Sequence, residues 1–201
     1  MRLSFWPRGP VLIRTGSPCM GPVLAVASLC WRRSDRARVL MVTVPVVSGG
    51  DWLRSLCRWH EFQKIEQRAR NAIAQKTLSG EIEMLDRFDI MIPDPVTRQI
   101  YREPFPMALE TFVHVLGHEP IDAADRIKTP VGVIGVANDK LVPPGQSRQL
   151  YERLAGPKML AMLDGKDHFA VYDPLLDQVA TRTIAWFDQH LAPAAATDAT
   201  D

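Results

Sequence analysis

The sequence has few of the features that mark several large classes of protein. It contains three cysteines among 201 residues, and they are widely spaced, at Cys19, Cys30 and Cys57. They form neither a CxxC pair nor a disulfide framework, so we expect a reducing compartment, the cytoplasm. No apolar run reaches the roughly 18 to 20 residues that a membrane span needs. No glycine-rich phosphate loop follows a strand pattern, and no internal repeat is present.

The chain also has little net charge. Its formal charge is +1, which gives it little attraction for nucleic acid or for an anionic membrane surface. Hydrophobic residues make up 46% of the chain and charged residues 23%, which is typical of a globular domain with a sizeable core. We therefore expect neither nucleic acid nor a membrane as a partner.

The most informative stretch of the sequence runs from residue 130 to residue 173. Val131–Val136 is a short apolar run behind a proline, typical of a parallel strand buried on both faces. The loop that carries Asp139 follows it, and a helix pattern begins near Gln146. A second strand, Lys158–Leu163, ends shortly before His168. Because the carboxyl ends of parallel strands meet at one edge of a sheet, we expect Asp139 and His168 to lie close together.

A carboxylate beside an imidazole suits general acid–base catalysis. The imidazole can take a proton from a hydroxyl or thiol and return it to a leaving group. A carboxylate on the other ring nitrogen fixes the tautomer. Two structural alternatives remain open. Asp139 could cap the following helix or bind its own loop backbone, and His168 could be an ordinary loop histidine.

The same stretch resembles the last third of an α/β hydrolase. The motifs are Asn-Asp-x-x-Val-Pro, which starts at Asn138, and Gly-x-x-His-Phe, which ends at Phe169. The likeness extends over residues 40–190 and is nearest to the esterase and dienelactone-hydrolase-like branch. In that family the nucleophile precedes the acid, and the acid precedes the histidine. The resemblance implies that Asp139 is the acid and His168 the base.

The function that the resemblance implies is hydrolysis of an ester, a lactone or a similar small carbonyl substrate. It implies no cofactor and no metal. The alternative is a catalytically inactive hydrolase remnant, or an interaction protein that lacks a nucleophile. The two hypotheses differ in whether the chain hydrolyses a generic ester and in whether that activity depends on His168.

Residues 1–45 form an atypical segment. Its first forty residues contain seven arginines and one acid, Asp35. In the framework of the resemblance, residues 9–14 are a strand, and the following Ser17-Pro18-Cys19-Met20-Gly21 has the small-x-nucleophile-x-small form of a nucleophile elbow. Cys19 is therefore the candidate nucleophile. The usual elbow is GxSxG and Pro18 fits a tight turn poorly, so an incidental cysteine is the alternative. A reading frame that joins the true sequence near Val44 would also explain the composition.

Residues 46–127 resemble a helical cap insertion. An amphipathic stripe predicts a helix from Trp52 to about Gln75, with Asp51 or Ser48 as its N-cap. A second, short helix is predicted over Met107–Leu116. Trp59 and His60 could contact a substrate, although core packing is the commoner role of such a stripe. On the second helix His114 and His118 are four residues apart, but no third ligand accompanies them, so we predict no metal site.

Together these features predict an α/β protein with a partial α/β-hydrolase fold. We expect about four mostly parallel strands flanked by helices, with the helical insertion between them. The hydrolase core that bears the acid and the histidine spans residues 128–191, and residues 192–201 form a disordered tail. A complete member of the family has four further strands before the elbow. The chain is therefore expected to be truncated, with an open sheet edge that could support self-association.

Overall fold

The core of the fold is a three-stranded parallel sheet. A computed structural model describes residues 38–86 and 106–191. In the sheet, β4 lies between β1 and β5, and both pairings are parallel. The strands of this sheet and of a small antiparallel pair are β1 (Leu40–Thr43), β2 (Met84–Asp86), β3 (Pro106–Ala108), β4 (Val131–Val136) and β5 (Lys158–Leu163).

Helices cover both faces of this sheet, and three further helices lie in the described part of the insertion. They are α1 (Gly49–Leu56), α2 (Trp59–Ser79), α3 (Thr111–Leu116), α4 (Pro144–Arg153) and α5 (Leu176–Leu191). Two 3-10 helices, Pro120–Arg126 and His168–Val171, lead into β4 and follow β5. No helix within the described ranges is long and apolar enough to cross a membrane. The layers match the predicted α/β class.

The central strand β4 is buried along its whole length, as its apolar sequence predicts. Val131 and Val133 pack with Leu150 and Leu154 on the side of α4. Ile134 packs on the opposite side, in a cluster that includes Leu175. Alternate residues of β4 therefore serve the two faces of the sheet, as strand geometry requires. The predicted bounds of β4 and β5 are those observed.

The chain leaves β1 through a backbone conformation that valine rarely adopts. Val44 has φ 44°, in the left-handed region, and its N–H still donates to the Ile134 carbonyl at 2.7 Å. Such a conformation costs a β-branched residue about 1–3 kcal/mol. The side chain of Val44 is buried against Val136 and Val171, which helps to offset that cost. The conformation turns the chain out of the sheet and into the insertion at the carboxyl ends of the strands.

Two predicted helices differ from those observed. The single helix expected from Trp52 to Gln75 is two helices, because Cys57 is extended and Arg58 begins a new one. The Arg58 N–H donates to the Glu61 carboxylate at 3.1 Å, which supports that start. Ser48, one of the two predicted N-caps, caps α1 by accepting from the Asp51 N–H at 3.1 Å.

The second predicted helix, Met107–Leu116, is also wrong in its first half. Met107 lies in β3, which pairs antiparallel with β2, and the helix α3 begins only at Thr111. Pairing with β2 satisfies the backbone groups that a longer helix would otherwise bond internally. The elbow strand expected at residues 9–14, Cys19 and the tail at 192–201 lie outside the described residues.

Candidate active site

Asp139 and His168 meet at the carboxyl-end rim of the sheet. Asp139 lies three residues beyond β4, and His168 begins the 3-10 helix beyond β5. The His168 Nδ1 and an Asp139 carboxylate oxygen, Oδ2, are 2.8 Å apart, and both residues are buried, with 5% and 4% of their surface exposed. A carboxylate can only accept, so Nδ1 carries the proton and Nε2 is left as the basic nitrogen. This is the arrangement in which a histidine can accept a proton from a nucleophile.

The second oxygen of Asp139 is held by the loop that follows it. Oδ1 accepts from the backbone N–H groups of Leu141 and Val142, both at 2.8 Å. The sequence left open whether Asp139 binds the histidine or its own loop, and the structure shows that it does both. The backbone contacts fix the rotation of the carboxylate, which leaves Oδ2 aimed at His168.

Two polar contacts hold the loop that carries His168. The Asp167 side chain accepts from the Phe169 N–H at 2.8 Å and so caps the 3-10 helix at its start. The Asn138 side-chain amide donates to the Gly165 carbonyl at 3.0 Å, which joins the acid loop to the histidine loop. Gly165 itself sits where a Cβ would lie 2.8 Å from the Ala170 Cβ and 2.9 Å from a Val136 methyl. Only glycine allows the two loops to approach this closely.

The remaining predicted site residues lie apart from this pair. Trp59 is 63% exposed and stacks on Phe62, with ring centroids 5.7 Å apart, so it packs within the insertion. His60 and His114 are exposed. Within residues 38–86 and 106–191, no three histidine, cysteine or acidic side chains come together as a metal site would require.

Cys57 is the cysteine that the described residues contain, and it is a poor candidate nucleophile. Burial, and secondarily the negative charge of Glu61, raise the pKa of its thiol above the ordinary value. A raised pKa lowers the thiolate fraction at neutral pH, and the thiolate is the reactive form. Its sulfur instead contacts the Leu53 carbonyl within the insertion, at 3.5 Å. Cys19 stays the predicted nucleophile, outside the described residues.

A cleft of about 500 Å³ lies between the insertion and α4, not at the acid–histidine pair. Charged and polar side chains dominate its lining: Ser48, Asp51, Arg54, Glu119, Ile121, Gln149, Glu152 and Arg153. Neither Asp139 nor His168 lines it. We place the candidate site at the buried pair, because the pair has the contact that acid–base chemistry needs and the cleft does not.

Two residues that support the site were missed from the sequence. The Gln146 side-chain oxygen accepts from the N–H groups of Val47 and Ser48, both at 2.8 Å. The Trp52 indole donates to the Leu141 carbonyl at 2.7 Å. Both contacts join residues about 90 to 100 positions apart, so no local pattern in the sequence could have indicated them.

Comparison with known proteins gives similar folds at low sequence identity. No family model matches the sequence. An uncharacterized 31.7 kDa protein from the traX–finO intergenic region of Escherichia coli is 30% identical over 90 residues, which are 44% of this chain and 30% of that protein.

Three solved structures are similar over most of the chain. The α/β hydrolase GrgF of Penicillium sp. sh18 has a TM-score of 0.65 at 18% identity, covering 85% of this chain and 60% of its own. DcsB, solved in complex with its substrate analogue, has a TM-score of 0.65 at 16% identity, covering 83% and 62%. The monoacylglycerol lipase of Paleococcus ferrophilus has a TM-score of 0.58 at 18% identity, covering 83% and 65%.

These likenesses define the fold and leave the activity open. The chain spans under two thirds of the length of each of the three solved proteins, and under one third of the curated relative. A fold hosts many activities, which are set by the residues of the site. The parallel order β1-β4-β5, the flanking helices and these structural neighbours together show that the chain has the α/β-hydrolase fold.

Proposed function

We propose that the chain hydrolyses an ester, a lactone or a similar small carbonyl substrate, with His168 as general base and acid and Asp139 as the residue that orients it. The observation that carries the proposal is the buried 2.8 Å contact between the imidazole Nδ1 and the Asp139 carboxylate. The hydrolase fold supports it, because the two residues stand in that family's order, acid before histidine.

The proposed mechanism uses the free ring nitrogen of His168. Nε2 removes the proton from the nucleophile as the nucleophile attacks the substrate carbonyl carbon, and the imidazolium returns it to the departing alcohol. A water molecule, activated by the same nitrogen, then releases the acyl group as the acid. Asp139 stabilises the imidazolium by accepting from its Nδ1–H through Oδ2.

Cys19 is the nucleophile in this proposal. A thiolate attacks esters and lactones readily, and a neighbouring histidine activates it by taking its proton. The thioester that forms is then hydrolysed by water. The proposal for Cys19 is separable from that for the acid–histidine pair, because another group could deliver the nucleophile to the same imidazole.

The test is hydrolysis of a chromogenic short-chain ester by the full chain and by single variants. We expect His168→Ala to lower kcat by on the order of 10⁴-fold, since removing one member of a cooperating set removes most of its effect. His114→Ala is the matched control, because it removes an exposed histidine from another helix. Unchanged activity in His168→Ala would contradict the mechanism, whereas unchanged activity in Cys19→Ala would remove only the cysteine.

A further inference from the structure

A continuous series of hydrogen bonds runs from the insertion to His168. The Trp52 indole N–H, in α1, donates to the Leu141 carbonyl at 2.7 Å. That carbonyl belongs to the same peptide group as the Val142 N–H, which donates to Asp139 Oδ1 at 2.8 Å. The other carboxylate oxygen, Oδ2, contacts His168 Nδ1 at 2.8 Å. The series therefore has four members: indole, peptide group, carboxylate and imidazole.

The first member of the series is firmly held. Trp52 is 3% exposed and packs in the same apolar cluster as Val142, so its ring is fixed against the acid loop. The start of its helix is bound as well, because Gln146 accepts from the Val47 and Ser48 N–H groups. The indole is thus a donor whose position is set by the core on one side and by the insertion on the other.

The peptide group between Leu141 and Val142 transmits the effect of the indole N–H from its carbonyl to its own N–H. Donation to a carbonyl polarises the whole amide and strengthens the N–H at its other end as a donor. Loss of the indole N–H would weaken the Val142 contact to Asp139 and free the 141–142 peptide group to rotate. The carboxylate would then be held on Oδ1 mainly by the Leu141 N–H, and its orientation toward His168 would loosen.

We propose that Trp52 is a positioning residue, which holds the acid loop so that Asp139 orients the His168 imidazole. The insertion thereby acts on the acid–histidine pair through one indole N–H and one peptide group. The catalytic part of this inference rests on the proposed function, whereas the structural part does not. A direct measurement of the imidazole proton tests it whether or not an ester is hydrolysed.

The experiment is nuclear magnetic resonance of ¹⁵N-histidine-labelled full chain, with the His168 resonance assigned from His168→Gln. We measure the exchange of the Nδ1 proton with water. Trp52→Phe keeps a ring and removes the donor, and we expect the exchange to become about tenfold faster, the change that corresponds to one hydrogen bond. Equal exchange rates in Trp52→Phe and the unaltered chain would overturn the proposal.

Trp186→Phe is the matched control. Trp186 is also buried, 5% exposed, and its indole also donates to a backbone carbonyl, that of Leu40, at 3.0 Å. That bond joins α5 to β1 and makes no contact with the acid loop. We expect the Nδ1 proton to exchange at the unaltered rate in this variant. An equal acceleration in both variants would show general loosening and would also overturn the proposal.

A second variant covers the case in which Trp52→Phe does not fold. Replacing the indole at position 52 with benzothiophene, by incorporation of the sulfur isostere of tryptophan, removes the N–H and keeps the bicyclic shape. If the ester assay detects activity, we also expect kcat to fall about tenfold with KM unchanged, because the substrate does not contact Trp52 in this proposal. Absence of activity in the unaltered chain would refute the proposed function and leave the proton-exchange result to decide this inference.

Discussion

Asp139 divides its two carboxylate oxygens between the backbone and the imidazole. Oδ1 serves the Leu141 and Val142 N–H groups, and Oδ2 serves His168. Structural and chemical roles are therefore carried by different atoms of one residue. A substitution that changes only one of these atoms should separate the two roles.

Asp139→Asn is the variant that separates them. The asparagine oxygen can still accept from the two backbone N–H groups, but its NH₂ then faces His168 Nδ1 and favours the tautomer in which Nε2 carries the proton. We expect the free energy of unfolding to change little and kcat to fall by on the order of 10⁴-fold. Asp139→Ala should in addition destabilise the fold by about 1–3 kcal/mol, since it leaves two donors without an acceptor.

Urea unfolding and the ester assay measure these two quantities on the same preparations. If Asp139→Asn is as unstable as Asp139→Ala, the backbone contacts are not made by Oδ1. If Asp139→Asn instead retains full activity, the carboxylate does not orient the base.

At the scale of elements, the boundary between the core and the insertion is held by one buried amide. Gln146 lies in the first turn of α4 and is 4% exposed. Besides accepting from two N–H groups, it donates to the Ser48 carbonyl at 3.3 Å. The chain enters the insertion at Val47 and leaves it near Ile121. The Val47 carbonyl also accepts from the Ile121 N–H, at 2.9 Å. Gln146 therefore fixes the place where both ends of the insertion meet the core.

Gln146→Leu should destabilise the protein by at least about 2 kcal/mol, because two buried N–H groups lose their acceptor. Gln149→Leu is the control on the same helix, where the glutamine is exposed and the change should stay within about 0.5 kcal/mol. Thermal or urea unfolding measures both. A destabilisation of Gln146→Leu no larger than that of Gln149→Leu would show that the buried amide does not hold the insertion.

The sequence predicted best the element whose residues are all buried. Val131–Val136 is buried on both faces, so its boundaries coincide with the apolar run itself. The break between α1 and α2 was missed because the apolar spacing continues across it, from Leu56 to Trp59, without glycine or proline. Glu61, three residues after Arg58, is the capping signal that marks the new start.

Of the candidate site, too, the sequence predicted one part and missed another. Asp139 and His168 could be paired from the sequence because topology alone brings the ends of neighbouring parallel strands together. Trp52 and Gln146 could not, since their contacts depend on how the insertion packs against the core. The predicted nucleophile, Cys19, lies in residues 1–37, which the structure does not describe.

At the scale of the whole molecule, β1 forms an edge of the sheet that the described residues define. It pairs with β4 on one side. The Leu40 N–H donates to the carbonyl of Pro130, just before β4, and the Val44 N–H donates to that of Ile134, so by alternation the Thr43 N–H points away from β4. Beside β1 on that side the sequence predicts the strand at residues 9–14, which lies outside the described residues. Self-association through the open edge that the sequence predicts beyond that strand stays a prediction.

Thr43→Pro tests whether that self-association involves β1, since it removes one outward N–H without touching the bonds to β4. We expect the apparent mass of the unaltered chain in sedimentation to rise with concentration, and the association to become about tenfold weaker in the variant. Thr43→Val is the control, because it changes the same side chain and keeps the outward N–H, so we expect association to be unchanged in this variant. A single monomeric mass at every concentration would contradict the prediction.

The continuous stretch from Val131 to Val171 contains Asp139, the two backbone N–H groups that donate to it and His168. Gene rearrangements upstream of this stretch can exchange the predicted nucleophile, yet they cannot separate His168 from Asp139. Asp139 and His168 are therefore inherited together. Moved into another parallel sheet, this stretch would keep the bonds of Asp139 to His168, Leu141 and Val142 and would lose the Trp52 donor at the Leu141 carbonyl.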